Sequence, residues 1–176
     1  MSLPHAIMTA LLEEQLTGYQ LAKQFDVSLG FFWAASHQQI YKSLKDLQGK
    51  GLVSGLAVEQ KGKPDKRVYA LTEEGRSSLD AWILGATKVK SAKDDLLVKL
   101  YNLENTNQKH IEKLIGERRR EHCVRLELYR KIEARQYLEP ETLSKRKKGI
   151  YLALLGGILQ TETSIRWCDE CLSLLE

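Results

Sequence analysis

Residues 36–72 read SHQQIYKSLKDLQGKGLVSGLAVEQKGKPDKRVYALT, and this stretch decides the fold of the 176-residue chain. It opens with the spacing of a capping box, in which Ser36 is the N-cap and Gln39 stands three positions later. Apolar residues then recur at helical spacing, at Ile40, Leu44 and Leu47. Gly49 and Gly51 supply the residue type that commonly ends a helix. The stretch therefore begins with one capped, amphipathic helix.

A β-hairpin is predicted directly after this helix. Residues 52–59 and 67–71 show apolar and polar alternation, and Gly-Lys-Pro-Asp at 62–65 supplies turn chemistry between them. A helix followed by a two-stranded wing is the order of a winged helix-turn-helix, which places the helix in a DNA groove and the hairpin beside it. We therefore predict this fold for the N-terminal part of the chain.

The flanking sequence completes that domain. A short helix is expected at 3–14, and a second capping box, Thr17 to Gln20, opens a second helix that runs to about residue 26. The aromatic run Phe-Phe-Trp at 31–33 is expected to pack beneath the helices. Thr72 is the expected N-cap of a fourth helix that ends near Gly85.

The sequence changes character after residue 87. It shows no strand-like alternation there, and three helices are predicted at about 90–103, 106–138 and 140–175, with Pro140 at the first helical position of the last one. The predicted fold class is thus mainly α, with a winged helix-turn-helix DNA-binding domain at 1–86 and an all-α dimerisation domain at 87–176.

The two long helices favour a homodimer. They do not easily bury their apolar stripes on one another and on a small N-terminal domain, so a second copy would complete the core. The stripe of the first long helix is interrupted by Arg118 and His122, which either pair with glutamates of a partner helix or set the register. The residues predicted to mediate dimerisation are Ile111, Ile115, Leu126, Tyr129, Leu155, Ile158, Ile165 and Leu172.

The basic residues are concentrated in the helix and wing. Residues 1–87 carry nine Lys or Arg and nine Asp or Glu, whereas residues 36–67 carry seven bases and three acids. A concentrated basic patch indicates a polyanionic partner better than the overall net charge of +4 does. The alternative interpretations without a DNA partner are that the helix face is simply solvated and that the hairpin tip is an ordinary polar turn.

The side chains on the outer face of the helix suit a DNA groove. Gln38 can form paired hydrogen bonds with adenine, and Lys42 and Lys45 can donate to guanine or phosphate. Tyr41 has two interpretations, because it can hydrogen-bond a phosphate or pack over the second helix.

Other classes of protein find no support in the sequence. No apolar run approaches the length of a membrane span, and the N-terminus lacks the basic region of a signal peptide, so a cytoplasmic protein is expected. Cys168 and Cys171 have CxxC spacing, but no second pair of ligands accompanies them, and buried, inert thiols are the favoured interpretation. No catalytic set, metal site or cofactor fingerprint is present, and we predict no enzyme activity, cofactor or metal.

Three segments resemble the PadR family of bacterial transcriptional regulators. They are LTGYQLAKQFD (16–26), FFWAASHQQIYKSLKDLQGKGLV (31–53) and KGKPDKRVYALTEEGR (61–76). A looser resemblance, carried by GGILQTETSIRWCDECLSLL (156–175), is to the dimerisation domain of the virulence-activator type. The resemblance implies a winged-helix homodimer that binds double-stranded DNA at a pseudo-palindromic operator, as a repressor more often than as an activator.

The resemblance also assigns residues. It makes the helix that opens at Ser36 the recognition helix, the wing a phosphate-contacting element, and the tyrosine of the GY pair a backbone contact. The residues expected to contact DNA are Tyr19, Gln38, Gln39, Tyr41, Lys42, Lys45, Lys61, Lys63, Lys66 and Arg67.

A small aromatic effector, such as a phenolic acid, is implied by some members of the family. Its pocket is expected where the aromatic connector, Trp82 and the C-terminal helices meet, because aromatic surface must be buried there. The competing interpretation of the whole chain is a winged-helix protein–protein interaction module without DNA binding. An apolar outer face on the 36–50 helix would favour that module, and the face is basic and polar instead.

Overall fold

The computed structural model describes residues 3–27, 35–58, 66–87 and 93–176. It divides the chain into two units, Met1–Lys88 and Val89–Glu176. The predicted domain boundary, between residues 86 and 87, lies close to this division. Within these ranges helices predominate and one small sheet is present, which confirms the predicted fold class.

The N-terminal unit has the predicted order of helices and wing. Its elements are α1 (Leu3–Ala10), β1 (Leu16–Thr17), α2 (Gly18–Val27), α3 (His37–Gly49), β2 (Val53–Val58), β3 (Lys66–Leu71) and α4 (Glu73–Ile83). Helix α1 is shorter than the predicted 3–14. Glu13 and Glu14 would place negative charge at the C-terminal end of a longer helix, where the helix dipole disfavours it, and the chain turns after Ala10 instead.

The sheet has one strand more than the predicted hairpin. β2 and β3 pair antiparallel as expected, with Gly55 opposite Tyr69. The two-residue strand β1 adds to the other edge of β3, where Leu16 lies opposite Tyr69, and the strand order is β1-β3-β2. Two residues are too short to show alternation in a sequence, so β1 is visible only in the structure.

The core of this unit holds α3 in place beneath its outer face. The buried apolar side chains come from α1, α2, α3, the sheet and α4: Ile7, Met8, Leu21, Ala22, Phe25, Ile40, Leu44, Leu47, Val53, Tyr69 and Leu79. The predicted stripe of α3 is fully buried, because Ile40, Leu44 and Leu47 expose no more than 3% of their surface.

A close-packed junction connects the end of α3 to α4. Gly51 has φ +70°, a conformation that L side chains rarely adopt, and its carbonyl accepts a hydrogen bond from Thr72 Oγ1 at 2.7 Å. Thr72 N–H donates to the carbonyl of Leu52 at 3.2 Å, and Thr72 Oγ1 also caps α4 by accepting from Gly75 N–H at 3.0 Å. The junction therefore fixes the base of the wing against the last helix of the unit.

The C-terminal unit is built on two long helices that pack on each other. Its helices are α5 (Asp95–Tyr101), α6 (Gln108–Gln136) and α7 (Lys145–Leu175), with 3₁₀ turns at Leu103–Asn105 and Pro140–Thr142. Pro140 opens a 3₁₀ turn instead of the long helix, which begins five residues later because Ser144 caps it by accepting from Lys147 N–H. The core of this unit joins Leu96, Ile111, Ile115 and Cys168.

No helix within the described ranges has both the length and the apolar character that a membrane crossing requires.

Candidate nucleic-acid interface

A capping box fixes the start of α3. Ser36 Oγ accepts from Gln39 N–H at 3.3 Å, and Gln39 Oε1 accepts from Ser36 N–H at 2.9 Å, as the sequence predicts. These two bonds satisfy backbone donors that the first turn leaves open. The cap holds the side-chain oxygen of Gln39 against the backbone of Ser36, and the two amide N–H groups of Gln39 take no part in it.

The outer face of α3 is polar and basic. Gln38, Lys42 and Lys45 are spaced by four and three positions, which places them on one side of the helix, opposite the buried stripe. All three are exposed. This face is therefore a continuous strip with one amide and two cations.

Tyr41 lies at the contact between α3 and α2. A Cβ at Gly18 would lie 2.3 Å from Cε1 of Tyr41, so the ring lies directly over the first residue of α2. The ring still exposes 47% of its surface, and Tyr19, next to Gly18, exposes 68%. In the structure Tyr41 therefore packs over α2, which is one of its two predicted interpretations. Enough of its side chain remains exposed to contact a partner outside the chain.

The wing carries exposed bases at the described end of β3. Lys66 and Arg67 are both exposed, and they lie on opposite faces of the hairpin because successive strand residues alternate. Arg67 shares the face of Gly55 that approaches α3, where a Cβ on Gly55 would meet Gln48 Oε1 at 3.1 Å and Arg67 Cδ at 3.2 Å. The other predicted wing contacts, Lys61 and Lys63, lie outside the described residues, as does the aromatic connector at 31–33.

The bases of this surface, on the outer face of α3 and on β3, form no ion pair with a carboxylate among the described residues. Cations without carboxylate partners can bind phosphate without first breaking an ion pair. The arrangement thus has the chemistry of a polyanion-binding surface.

The predicted dimerisation residues fall into two groups. Ile111, Ile115, Tyr129 and Ile158 are buried within the single chain, where they belong to the packing of α6 and α7. Leu126, Leu155, Ile165 and Leu172 are half-buried. The exposed apolar side chains of α6 and α7 were not among the predicted dimerisation residues. They include Val124, Leu128, Leu152 and Leu159.

Arg118 and His122 differ in their surroundings from the predicted pairing with glutamates of a partner helix. Arg118 forms a bidentate ion pair with Asp94 of the same chain, in which the Nη2–Oδ1 distance is 2.8 Å. The hydrogen bond from Arg118 holds the pKa of Asp94 below its ordinary value. His122 Nδ1 is buried and has no hydrogen-bond partner among the described residues, and burial, aided by Arg125 and Arg118, lowers the pKa of this imidazole.

The cysteines have the environment of structural thiols. Cys168 is fully buried, and burial raises the pKa of both Cys168 and Cys171. A thiol with a raised pKa is a poor nucleophile and a poor metal ligand at neutral pH. Within the described ranges, no group of three or more His, Cys, Asp or Glu side chains could hold a metal ion.

Both units match known families of domains. Residues 7–81 match the model of the transcriptional regulator PadR-like family, and residues 92–176 match the model of the virulence activator alpha C-terminal domain.

Whole-length relatives share both units. The chain is 37% identical, over 100% of its own length and 98% of the relative's, to the Mycobacterium tuberculosis protein named Probable transcriptional regulator Rv1176c. It is 27% identical to the Negative transcriptional regulator PadR of Bacillus subtilis, over 99% of this chain and 97% of the relative.

Solved structures have the same fold. The Vibrio cholerae virulence activator AphA matches with a TM-score of 0.84 and 33% identity over 99% of this chain and 98% of that chain. Bacillus subtilis PadR in complex with operator DNA matches with a TM-score of 0.83 and 24% identity over 100% of both chains. The same protein in complex with p-coumaric acid matches with a TM-score of 0.77 and 24% identity over 99% of both chains.

Proposed function

The chain belongs to the PadR-like family of transcriptional regulators, and we propose that it acts in the bacterial cytoplasm as a homodimeric repressor of a pseudo-palindromic operator. In this proposal α3 enters the major groove and the wing lies along the phosphate backbone. A two-fold dimer requires half-sites separated by about one helical turn of DNA or a multiple of it.

The observation that carries the proposal is the outer face of α3. Gln38, Lys42 and Lys45 are exposed there on a helix whose opposite side is locked into the core. The amide of glutamine reads adenine, and lysine donates to guanine or to phosphate. The operator complex of Bacillus subtilis PadR supports this assignment, since that protein has the same fold and binds DNA.

Repression and dimerisation are proposed on different grounds. Repression is supported by the name of the Bacillus subtilis relative, a negative transcriptional regulator. Dimerisation is supported by exposed apolar side chains on the long helices, of which Val124 and Leu128 lie one turn apart on α6 and expose 71% and 48% of their surface. Apolar surface of this kind on long helices is typical of a subunit interface.

We include a small aromatic effector in the proposal. The Bacillus subtilis relative forms a complex with p-coumaric acid, and the present chain has a cavity of about 550 Å³ within its C-terminal unit. This volume is in the range of small-molecule sites. Binding there is proposed to weaken the affinity of the protein for its operator.

A salt series in gel-shift assays tests DNA binding. The DNA is the promoter region of the gene that encodes the protein, and the variants are Lys42→Ala/Lys45→Ala and Lys66→Ala/Arg67→Ala. The parent protein should lose affinity steeply as salt rises. Each lost phosphate contact should reduce the log–log slope by about 1, so the wing variant should have a slope smaller by about 2.

The matched control is Lys113→Ala. Lys113 is an exposed lysine on α6 that pairs with Glu117 at 3.9 Å, and its loss should change neither affinity nor slope. DNA binding that is equal in the parent and in both double variants at every salt concentration would refute the proposed interface. A parent protein that binds no promoter DNA would favour the protein–protein interaction module.

Light scattering tests dimerisation. The parent should have the mass of two 20.1 kDa chains at micromolar concentration. Val124→Glu/Leu128→Glu should shift it toward one chain, because burying carboxylates in an apolar interface is costly. The control is Leu138→Glu, because Leu138 lies in the connection that joins α6 to α7 and its side chain is already 79% exposed. This variant should keep the mass of the parent. A monomeric parent would refute the proposed dimer.

A further inference from the structure

A second cavity of the C-terminal unit, separate from the one proposed for an effector, lies where α6 ends and α7 begins. This junction cavity has a volume of about 480 Å³ and is lined by Arg135, Gln136, Tyr137, Arg146, Lys147 and Ile150. Three of these six residues are basic and none is acidic. The volume is in the range of small-molecule sites, and the charge favours an anion.

The first turn of α7 has an unusual charge for the start of a helix. The helix opens with four consecutive bases at 145–148, and its first turn contains no acidic residue. A helix N-terminus carries partial positive charge and leaves backbone N–H groups without intrahelical acceptors, so it favours anions and disfavours cations. The starts of α4 and α5 follow this rule, with Glu73 and Asp95 in their first turns. The start of α7 therefore has positive charge that its own first turn does not balance.

Arg135 and Lys147 bring cations to the junction cavity from both helices. Both side chains are exposed, and neither forms an ion pair with a carboxylate among the described residues. The acids of the connection between the helices, Glu139 and Glu141, are exposed and do not line the cavity. An anion can therefore bind to these two cations without displacing a carboxylate of the described chain.

Tyr137 directs an unpaired donor into the junction cavity. The residue is the C-cap of α6, and only 8% of its surface is exposed. Its hydroxyl forms no hydrogen bond with any described residue and is not fully enclosed by protein atoms, so it opens into the cavity that Tyr137 lines. Burial raises the pKa of Tyr137, so the hydroxyl stays protonated at neutral pH and can donate. A largely buried tyrosine usually has a partner for its hydroxyl, and an acceptor in the cavity would supply one.

Tyr151 shows the same side chain with its hydroxyl satisfied. Its ring lies against that of Tyr137, with 5.4 Å between the ring centroids. Its hydroxyl donates to Glu133 Oε1 at 3.3 Å, and it does not line the junction cavity. The unpaired hydroxyl of Tyr137 is thus a feature of the cavity and is not shared by the neighbouring ring.

We propose that the junction cavity binds the phosphate group of a small phosphorylated molecule. Arg135 and Lys147 pair with phosphate oxygens, Tyr137 donates a hydrogen bond to one of them, and the N-terminus of α7 adds its partial positive charge. A phosphate group suits this set better than a carboxylate, because it carries up to about two negative charges and has three strong acceptor oxygens. This inference concerns ligand binding alone and does not rest on DNA binding.

Calorimetry on the full-length protein tests the ligand class. The probes are AMP and inorganic phosphate, adenosine is the uncharged control, and the salt concentration is about 150 mM, so that weak attraction to exposed charges is screened. The tighter-binding probe should bind at least about 10-fold more tightly than adenosine, because hydrogen bonds to charged groups are the stronger ones. Tighter binding of AMP would indicate a phosphate ester, and tighter binding of inorganic phosphate would indicate the free ion, and either result supports the proposal. No binding of either probe, or binding no tighter than that of adenosine, would overturn it.

The variant Tyr137→Phe tests the role of the hydroxyl. It removes one donor that has no partner among the described residues, so the tighter-binding probe should bind about 5-fold more weakly while the melting temperature does not fall. Tyr151→Phe is the matched control, since it also loses only a hydroxyl, and it should bind the probe as the parent does. Unchanged binding by Tyr137→Phe would overturn the assigned role of Tyr137.

Two lysines of the same basic run distinguish a site from general attraction. Lys145 and Lys147 are both exposed, and only Lys147 lines the junction cavity. Lys147→Gln should weaken probe binding by about 10-fold, and Lys145→Gln, which removes the same charge, should weaken it by less than about 2-fold. Equal losses in the two variants would show that the run attracts anions without a site and would overturn the proposal.

A gel shift with Lys147→Gln separates a small phosphorylated ligand from the phosphates of DNA. The variant should bind operator DNA as the parent does. Weaker operator binding by this variant, in a protein that binds neither probe, would make the surface a DNA-backbone contact and overturn the inference. Operator binding by a parent that binds neither probe overturns the inference and leaves the proposed function standing, whereas probe binding without operator binding has the opposite meaning.

Discussion

Replacing Gly75 with alanine should destabilise the N-terminal unit, although a glycine-to-alanine change within a helix ordinarily stabilises it. Gly75 lies in the first turn of α4, where a Cβ would stand 2.0 Å from the carbonyl oxygen of Leu52 and 2.8 Å from Cδ1 of Leu71. The nearest atom belongs to the backbone at the base of the wing, so no side-chain rotation can relieve the overlap.

The expected cost follows from these distances. The helix would have to move by about 1 Å to restore an ordinary van der Waals distance, and overpacking of this kind costs about 1–3 kcal/mol. The same movement stretches the hydrogen bond from Thr72 N–H to Leu52, which contributes about 1 kcal/mol. Alanine recovers up to about 1 kcal/mol through its better helix propensity. The free energy of unfolding should therefore fall by about 2–3 kcal/mol.

Scanning calorimetry measures this change. For a unit of this size, the melting temperature should fall by about 10–20 °C in the transition of the N-terminal unit. Gly149→Ala is the matched control, since a Cβ there meets no atom within 4 Å, and it should be neutral or stabilising. A Gly75→Ala protein that melts within about 3 °C of the parent would refute the close contact between α4 and the wing.

Three further predictions follow from individual side chains. In Gly18→Ala the half-exposed ring of Tyr41 must rotate away from α2, so gel shifts should show several-fold weaker operator binding with little change in melting temperature. In a Tyr41→Ala background, adding Gly18→Ala should not weaken operator binding any further. Burial lowers the pKa of His122 below 6.5, so the stability that the neutral imidazole contributes is fully present above pH 6.5 and is lost as the pH falls through the folded-state pKa. In His122→Gln the free energy of unfolding should therefore depend less on pH between about pH 7 and 5 than it does in the parent. Because burial raises the pKa of Cys168 and Cys171, both thiols should react slowly with a disulfide reagent in the native protein. The double variant Cys168→Ser/Cys171→Ser should bind operator as the parent does, and mass spectrometry should find no zinc in the parent or in the variant.

Helix starts in the N-terminal unit were predictable because they depend on local chemistry. The capping boxes at Thr17 and Ser36 and the cap at Thr72 involve residues three positions apart, and each is present in the structure. The buried stripe of α3 was predictable for the same reason, since helical spacing alone determines which side chains share a face. The exposed strip of Gln38, Lys42 and Lys45 follows from that spacing.

Features that depend on distant residues were not predictable. β1 exists because Leu16 pairs with Tyr69, 53 residues away. Gln39 was predicted both to close the capping box and to contact DNA, and in the structure its side-chain oxygen accepts from Ser36 N–H. Ile111 and Ile115 were assigned to a partner chain because apolar periodicity shows that a residue is buried without showing which helix covers it, and α7 of the same chain is among the elements that do.

Arg118 and Arg119 show how much of the candidate ligand site lies beyond the sequence. They are adjacent and identical, and both form ion pairs, one with Asp94 across 24 residues and one with Asp169 across 50. Their directions differ by about 100° around α6, so Arg118 lines the cavity while Arg119 reaches the exposed edge of α7. Periodicity did single out Arg118 as a polar residue on an apolar stripe. The sequence could not show that the apolar surroundings form a cavity or that its carboxylate partner caps α5, because both depend on how separate helices pack together.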